Sequence, residues 1–224
     1  MKNKIMIVLI LVIMVQSNVS AARTENVYIE IDLSDSSLHV KSKAFAKKSA
    51  FFIDGHIKDL SLGSKVHIRT FGEYSRDKNP FSLKFTFLKR KGSKPREVRA
   101  IVKRIIENVP DFVQDGKLKL QEKTSLIGEL KILAQLLEIS QNNTVIILSD
   151  LLEYSADANA YQLIKSKKGA LPPPKSDYLS GVNVIALGAG YGVKSSQQND
   201  RLEAVWTEYF KQAGVKRFRY LSDF

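Results

Sequence analysis

A chain of 224 residues that is 44% hydrophobic and 9% aromatic carries enough apolar material for a sizeable core, which excludes an intrinsically disordered chain. It has no cysteine, which excludes a disulfide framework, a thiolate zinc site and a cysteine nucleophile. The net charge of +12 favours acidic proteins, nucleic acid or anionic membranes as attracted surfaces and says nothing about the fold.

The first 21 residues read as a cleaved signal peptide. Lys2 and Lys4 give a positive start, Ile5 to Val15 is an unbroken apolar run, and Val19-Ser20-Ala21 supplies small residues at a cleavage site. The run falls short of the roughly 20 residues that span a bilayer. Cleavage removes two lysines and leaves a mature chain, residues 22–224, with a charge of +10 and no stable membrane span. The expected location is periplasmic or secreted.

Val27 to Asp32 is an apolar strand that runs into a burst of small oxygen-bearing side chains, Asp32, Ser34, Ser36 and Ser37. Leu38 to Lys58 reads as a helix, with Phe45, Phe52 and Ile53 inward and Lys41, Lys43, Lys47 and Lys48 toward solvent. Lys65 to Phe71 alternates with period two, Gly72 to Pro80 is a polar turn, and Phe81 to Lys89 alternates again, so these two strands are expected to pair antiparallel. Pro95 opens a helix whose Val98, Ile101, Val102, Ile105, Ile106 and Val109 form a buried stripe, with Pro110 as its end. Asp111 to Lys123 reads as a loop. Thr124-Ser125 precedes a helix over Leu126 to Glu138.

Thr144 to Asp150 repeats the build of the first strand and ends on Ser149 and Asp150. Residues 151–180 are irregular, with three consecutive prolines at 172–174 and a helix expected near Ala158 to Lys165. Gly181 to Leu187 is a buried strand, and Gly188 to Asn199 a glycine-containing loop. Leu202, Val205, Trp206, Tyr209, Phe210 and Ala213 mark a last helix, and Lys216 to Leu221 a last strand. Strands alternating with helices in this way predict an α/β fold with a mostly parallel sheet and helices on both faces. Residues 22–224 are expected to form one domain with an irregular insertion around 151–180.

Two strands that each end on an aspartate suggest two carboxylates at one edge of such a sheet, where open α/β folds place their sites. Asp32, Ser34 and Ser36 alternate on a turn leaving a strand, so their oxygens can converge. Thr124 and Asp150 fall where a parallel sheet brings them near. These five offer only hard oxygen donors, which suit Mg2+, Mn2+ or Ca2+ rather than zinc or copper.

Asp32-x-Ser34-x-Ser36, a later Thr124 and the strand-ending Asp150 resemble the metal-ion-dependent adhesion site (MIDAS) of von Willebrand factor type A (vWA) domains. The resemblance runs from about Val27 to Leu221. It implies a doubly wound, Rossmann-like sheet with one antiparallel edge strand, matched by Phe81 to Lys89. It also implies a divalent ion, usually magnesium, held by the serines, the threonine and the aspartates, with an acidic side chain of a partner protein filling an open position. Two residues depart from the family pattern. Asp35 stands where small residues are usual, either adding charge near the ion or facing solvent. Leu151 stands where glycine usually follows the aspartate, so the loop there is free to run differently.

Other chemistries fit less well. Phosphoryl transfer on a strand-end aspartate needs an acid two residues on, and Ser34 occupies that place. Gly188 to Gly192 follows a strand but lacks the spacing of a phosphate loop and does not lead straight into a helix. His39, His56 and His67 show no metal spacing, and no nucleophile elbow or catalytic base is evident. The expected function is therefore non-enzymatic: an exported, metal-dependent module of protein–protein adhesion or assembly in a cell envelope. The alternative is a basic-surface binder of polyanions or nucleic acid with a vestigial metal site, resting on the cationic run from Lys84 to Arg104. Export argues against cytoplasmic nucleic acid as that ligand.

Overall fold

Strand β1 (Glu25–Asp32) lies inside the sheet with all eight residues buried. In this computed structural model, which describes residues 24–73, 81–138, 142–165, 170–175 and 177–224, it is flanked by β2 (Lys65–Phe71) and β4 (Asn142–Leu148), both parallel to it. The sheet continues through β5 (Asn183–Leu187) to β6 (Arg217–Leu221) on one side and ends in β3 (Ser82–Thr86), antiparallel to β2, on the other. The order is β3-β2-β1-β4-β5-β6. This is the mostly parallel α/β sheet with one antiparallel edge that the sequence predicts.

Alternate residues serve two cores. Val27, Ile29 and Ile31 of β1 and Ile146 and Leu148 of β4 point to one side, where they meet α1 (Leu38–Lys41), α2 (Lys43–Ile57), α3 (Pro95–Glu107) and α4 (Val109–Gln114). Tyr28, Val145 and Ile147 point to the other, against α5 (Leu126–Leu136), α6 (Ala160–Lys165) and α7 (Ser196–Gln212). Helices on both faces explain why the central strands read as continuous apolar runs. Trp206 and Phe210 of α7 are fully buried, and Phe210 packs on Phe218 of β6 at 4.6 Å between ring centroids.

Several elements differ from expectation. The helix expected over Leu38 to Lys58 is two helices. Ser42 is extended (φ −115°, ψ 110°), and its hydroxyl accepts from the Phe45 N–H at 3.3 Å, so it caps a fresh start instead of continuing the turn. The loop expected over Asp111 to Lys123 begins as α4, because Pro110 sits in a first helical turn, where its missing N–H costs nothing. In the α3 stripe, Val98, Val102 and Ile106 are buried, whereas Ile101 is 40% exposed at the stripe's margin. α7 starts at Ser196, inside the expected loop, with the Ser195 hydroxyl accepting from the Gln198 N–H. The expected signal peptide, most of the turn before Pro80 and part of the 151–180 insertion lie outside the described residues. No helix among the described residues is long and apolar enough to cross a membrane.

Candidate functional site

The chain leaves β1 toward β2 and β3 on one side and returns through β4 to β5 and β6 on the other. The order therefore reverses between β1 and β4, and the crevice beyond the carboxyl ends of those two strands is where such sheets hold ligands. Asp32 closes β1 at this point, and Asp150 follows β4 by two residues.

The loop after β1 is tied on both sides. The Leu33 N–H donates to Phe71 O of β2, the Gln121 N–H to Leu33 O, and the Asp35 N–H to Gln121 O. Asp32 Oδ1 accepts from the Ser34 N–H at 2.8 Å, which folds the loop into a turn and lets the Ser34 and Ser36 hydroxyls meet at 3.2 Å. Thr124 lies three residues beyond Gln121 and exchanges backbone hydrogen bonds with Tyr154, in the segment after β4. One short stretch thus bridges the loops that follow the two strands.

Of the five predicted residues, Asp32, Ser34, Thr124 and Asp150 are buried and Ser36 is exposed. Asp150 is close enough for its charge to bear on Asp32. Desolvation first, and the Asp150 charge second, push the Asp32 carboxyl up to about 7, against the hydrogen bonds from Ser149 and Ser34. Burial likewise raises Asp150, which the Ser36 hydroxyl and the Leu152 N–H partly offset. Asp150 Oδ1 accepts from the Leu152 N–H at 2.9 Å, whereas its Oδ2 is buried and makes no hydrogen bond of good geometry, the Ser36 hydroxyl lying near enough to the carboxyl only to favour its charged form. Among the described residues no basic side chain pairs with either aspartate; Lys41, the nearest in sequence, is engaged with Asp35 at 2.9 Å. Asp35 itself is exposed, so the first departure from the family pattern faces solvent.

Leu151, the second departure, is buried and holds φ at 62°, a left-handed conformation open to glycine without strain. Its side chain joins the core, and its carbonyl accepts from Trp206 Nε1 at 2.9 Å. The loop therefore takes a glycine-like path with a leucine, held by a buried tryptophan.

Two further residues belong to the site. The register pairs Ile31 with Leu148, so Ser149 stands opposite Asp32, and its hydroxyl donates to Asp32 Oδ2 at 2.7 Å. Strand alternation alone carries that signal, since Ser149 is in phase with Val145 and Ile147 as Asp32 is with Tyr28. Glu153 is fully buried and accepts from the Leu126 and Ile127 N–H groups at the start of α5, at 2.8 and 3.2 Å. It anchors the helix that follows Thr124, and no local pattern announces it.

The other expected features resolve as follows. Gly188, Gly190 and Gly192 all have positive φ, and the Gly190 N–H donates to Asp150 O, so this loop borders the same edge. His67 stacks on Tyr28 at 4.7 Å. Within the basic run, Arg99 grips Asp54 through two bonds of 2.8 Å and Lys103 faces Glu107 at 3.9 Å, so part of that charge is satisfied internally.

No family model matches the chain, and no curated protein matches it by sequence. Among solved structures it is similar to the manganese-loaded Plasmodium vivax TRAP protein, with 17% identity over 81% of this chain and 63% of that one, at a TM-score of 0.43. It is also similar to the pilus adhesin SpaC from Lactobacillus rhamnosus GG in its open conformation, with 9% identity over 91% of this chain and 28% of that one, at a TM-score of 0.44. The chain thus spans less than two thirds of either protein, and the sheet order and site geometry stand without them.

Proposed function

We propose that this chain is an exported, vWA-like protein-binding module whose switch-point edge takes a divalent cation, Mg2+ or its relatives Mn2+ and Ca2+. One observation carries the reading: two buried carboxylates share an edge with two hydroxyls, no basic partner among the described residues, and an orphaned oxygen on Asp150. Buried charge without compensation is costly, and a cation among hard oxygens removes the cost.

Asp32, Ser34, Ser36, Thr124 and Asp150 would hold the ion. Ser149 keeps the Asp32 carboxylate oriented, and Glu153 fixes the start of α5 behind Thr124. The bound cation supplies an open position for a carboxylate of the partner. Three half-exposed tyrosines around the edge offer contact area beyond that point. Tyr154 pairs with Thr124, Tyr191 follows the glycine that bonds Asp150 O, and Tyr161 feels the Asp150 charge.

The test is calorimetric titration of MgCl2, MnCl2 and CaCl2 into chelator-treated protein, with thermal unfolding alongside. At a metal concentration 100 times its dissociation constant, stability should rise by about 2.7 kcal/mol. Asp150→Ala should abolish both the heat and the shift. Absence of binding in the wild type, or equal binding by Asp150→Ala, overturns the reading.

A further inference from the structure

A second site lies at the other end of the sheet. Between the last turns of α2 and the edge of β5 and β6 is a cavity of about 470 Å3, lined by His56, Asn183, Ile185, Lys216, Arg217 and Arg219. It opens on the face where α1 to α4 cover β1 and β2, and where β6 packs on that core through Leu221 at its far end while Arg217 at its start stays exposed. On the opposite face of β6, Phe218 and Tyr220 pack toward α7. Alternation therefore turns Arg217 and Arg219 into the cavity, two residues apart on one strand and paired with Asn183 and Ile185.

Its charge is one-sided. Among the described residues no carboxylate forms an ion pair with Lys216, Arg217 or Arg219, and Arg219 is stacked 5.8 Å from the Phe52 ring centroid. His56 of this lining faces the buried Glu25 carboxylate at 3.3 Å, and no carboxylate is among the described lining residues. The floor is apolar at Ile185, which a bare phosphate would leave unused. β6 also ends the sheet, so among the described residues no strand neighbours its outer backbone groups.

We propose that this cleft binds an extended acidic segment of a partner protein, laid along β6 with carboxylates at alternate positions facing Arg217 and Arg219. The spacing supports it: alternate side chains of one strand stand about 6.6 Å apart, and so do those of an extended peptide beside it. Arginine suits the role because its planar fork grips carboxylates in pairs. The site is independent of the metal edge and does not rest on that reading.

Fluorescence anisotropy of a labelled peptide of alternating glutamate and valine, titrated with the full chain, tests this. The glutamate peptide should bind at least about tenfold more tightly than its glutamine counterpart, and Arg217→Glu with Arg219→Glu should lose about tenfold or more. Arg90→Glu with Lys91→Glu should bind as the wild type does, and added chelator should leave the affinity unchanged. Should the double glutamate variant fail to fold, Arg217→Gln with Arg219→Gln decides in its place. Equal binding of the glutamine peptide, no loss in the folded cleft variant, or loss on changing Arg90 and Lys91 overturns the proposal. Tighter binding of inorganic polyphosphate at the same arginines also overturns it, in favour of a polyanion site.

Discussion

His39 shows how one residue ties the site to stability. It is fully buried, with Nε2 2.8 Å from Leu187 O and Nδ1 3.1 Å from the Ser49 hydroxyl. Burial pulls its pKa down from 6.5 to about 4. Between those values the unfolded chain binds a proton that the folded one refuses, so His39 makes the fold less stable as pH falls from 6.5 toward 4. Glu153 acts in the opposite sense. Burial raises its carboxyl to about 7, so its contribution is greatest at low pH and is lost as pH rises toward 7. The wild-type pH slope is thus a difference of opposing contributions. Urea unfolding at pH 7 and pH 4.5 isolates His39: the loss of stability on acidification should be smaller in His39→Gln, by about 1.4 kcal/mol per pKa unit removed. An unchanged loss would mean that the imidazole charges freely in the folded state.

At the scale of elements, the loop after β5 is as constrained as the helices. A Cβ at Gly190 (φ 73°) would lie 1.7 Å from Asn199 Oδ1 and 2.4 Å from the Tyr220 hydroxyl, which bond each other at 2.6 Å. A Cβ at Gly192 (φ 82°) would meet open space. Both alanine variants pay the left-handed strain of about 1 kcal/mol, but only Gly190→Ala must also break the link between α7 and β6. Denaturant unfolding should show Gly190→Ala losing about 2–3 kcal/mol and Gly192→Ala about 1 kcal/mol. Gly190→Ala should also disturb the loop that carries Asp150, because the Gly190 N–H bonds Asp150 O. The same logic explains α2 and α4. Ser42 and Pro110 act through single backbone positions that hydrophobic spacing does not register.

Across the whole molecule, the two proposed sites occupy opposite ends of the parallel strands. Asp32 stands at the carboxyl end of β1 and Asp150 beyond that of β4, while Arg217 begins β6 opposite Asn183, the first residue of β5. A five-residue strand separates those levels by on the order of 13 Å. Substitutions that share no partner at that distance add, so the unfolding free energies of Asp150→Asn and Arg217→Gln should sum within about 0.5 kcal/mol in the double variant. A larger coupling would show that the sheet transmits between the ends. The layout also divides the charge. Acid is buried at one edge and base with no ion pair among the described residues lines a cleft at the other, so the net +12 alone does not identify the attractive surface.

By itself the sequence determined the strands, because Val27 to Ile31 and Thr144 to Leu148 are too apolar to face water on either side. It determined the α/β class, because helical and strand periods alternate along the chain. It also marked Asp32, Ser34, Ser36, Thr124 and Asp150, because each lies at the end of a readable element. Tertiary structure decided the rest. Parallel register, a property of two strands together, set Ser149 rather than Asp150 beside Asp32. Glu153 meets α5 across 27 residues of chain, and Leu151 keeps a glycine-like turn because Trp206, 55 residues away, holds its carbonyl. The cleft at Arg217 and Arg219 lies where α2 leaves the start of the last strand partly open, and no local pattern along the chain records which face that is.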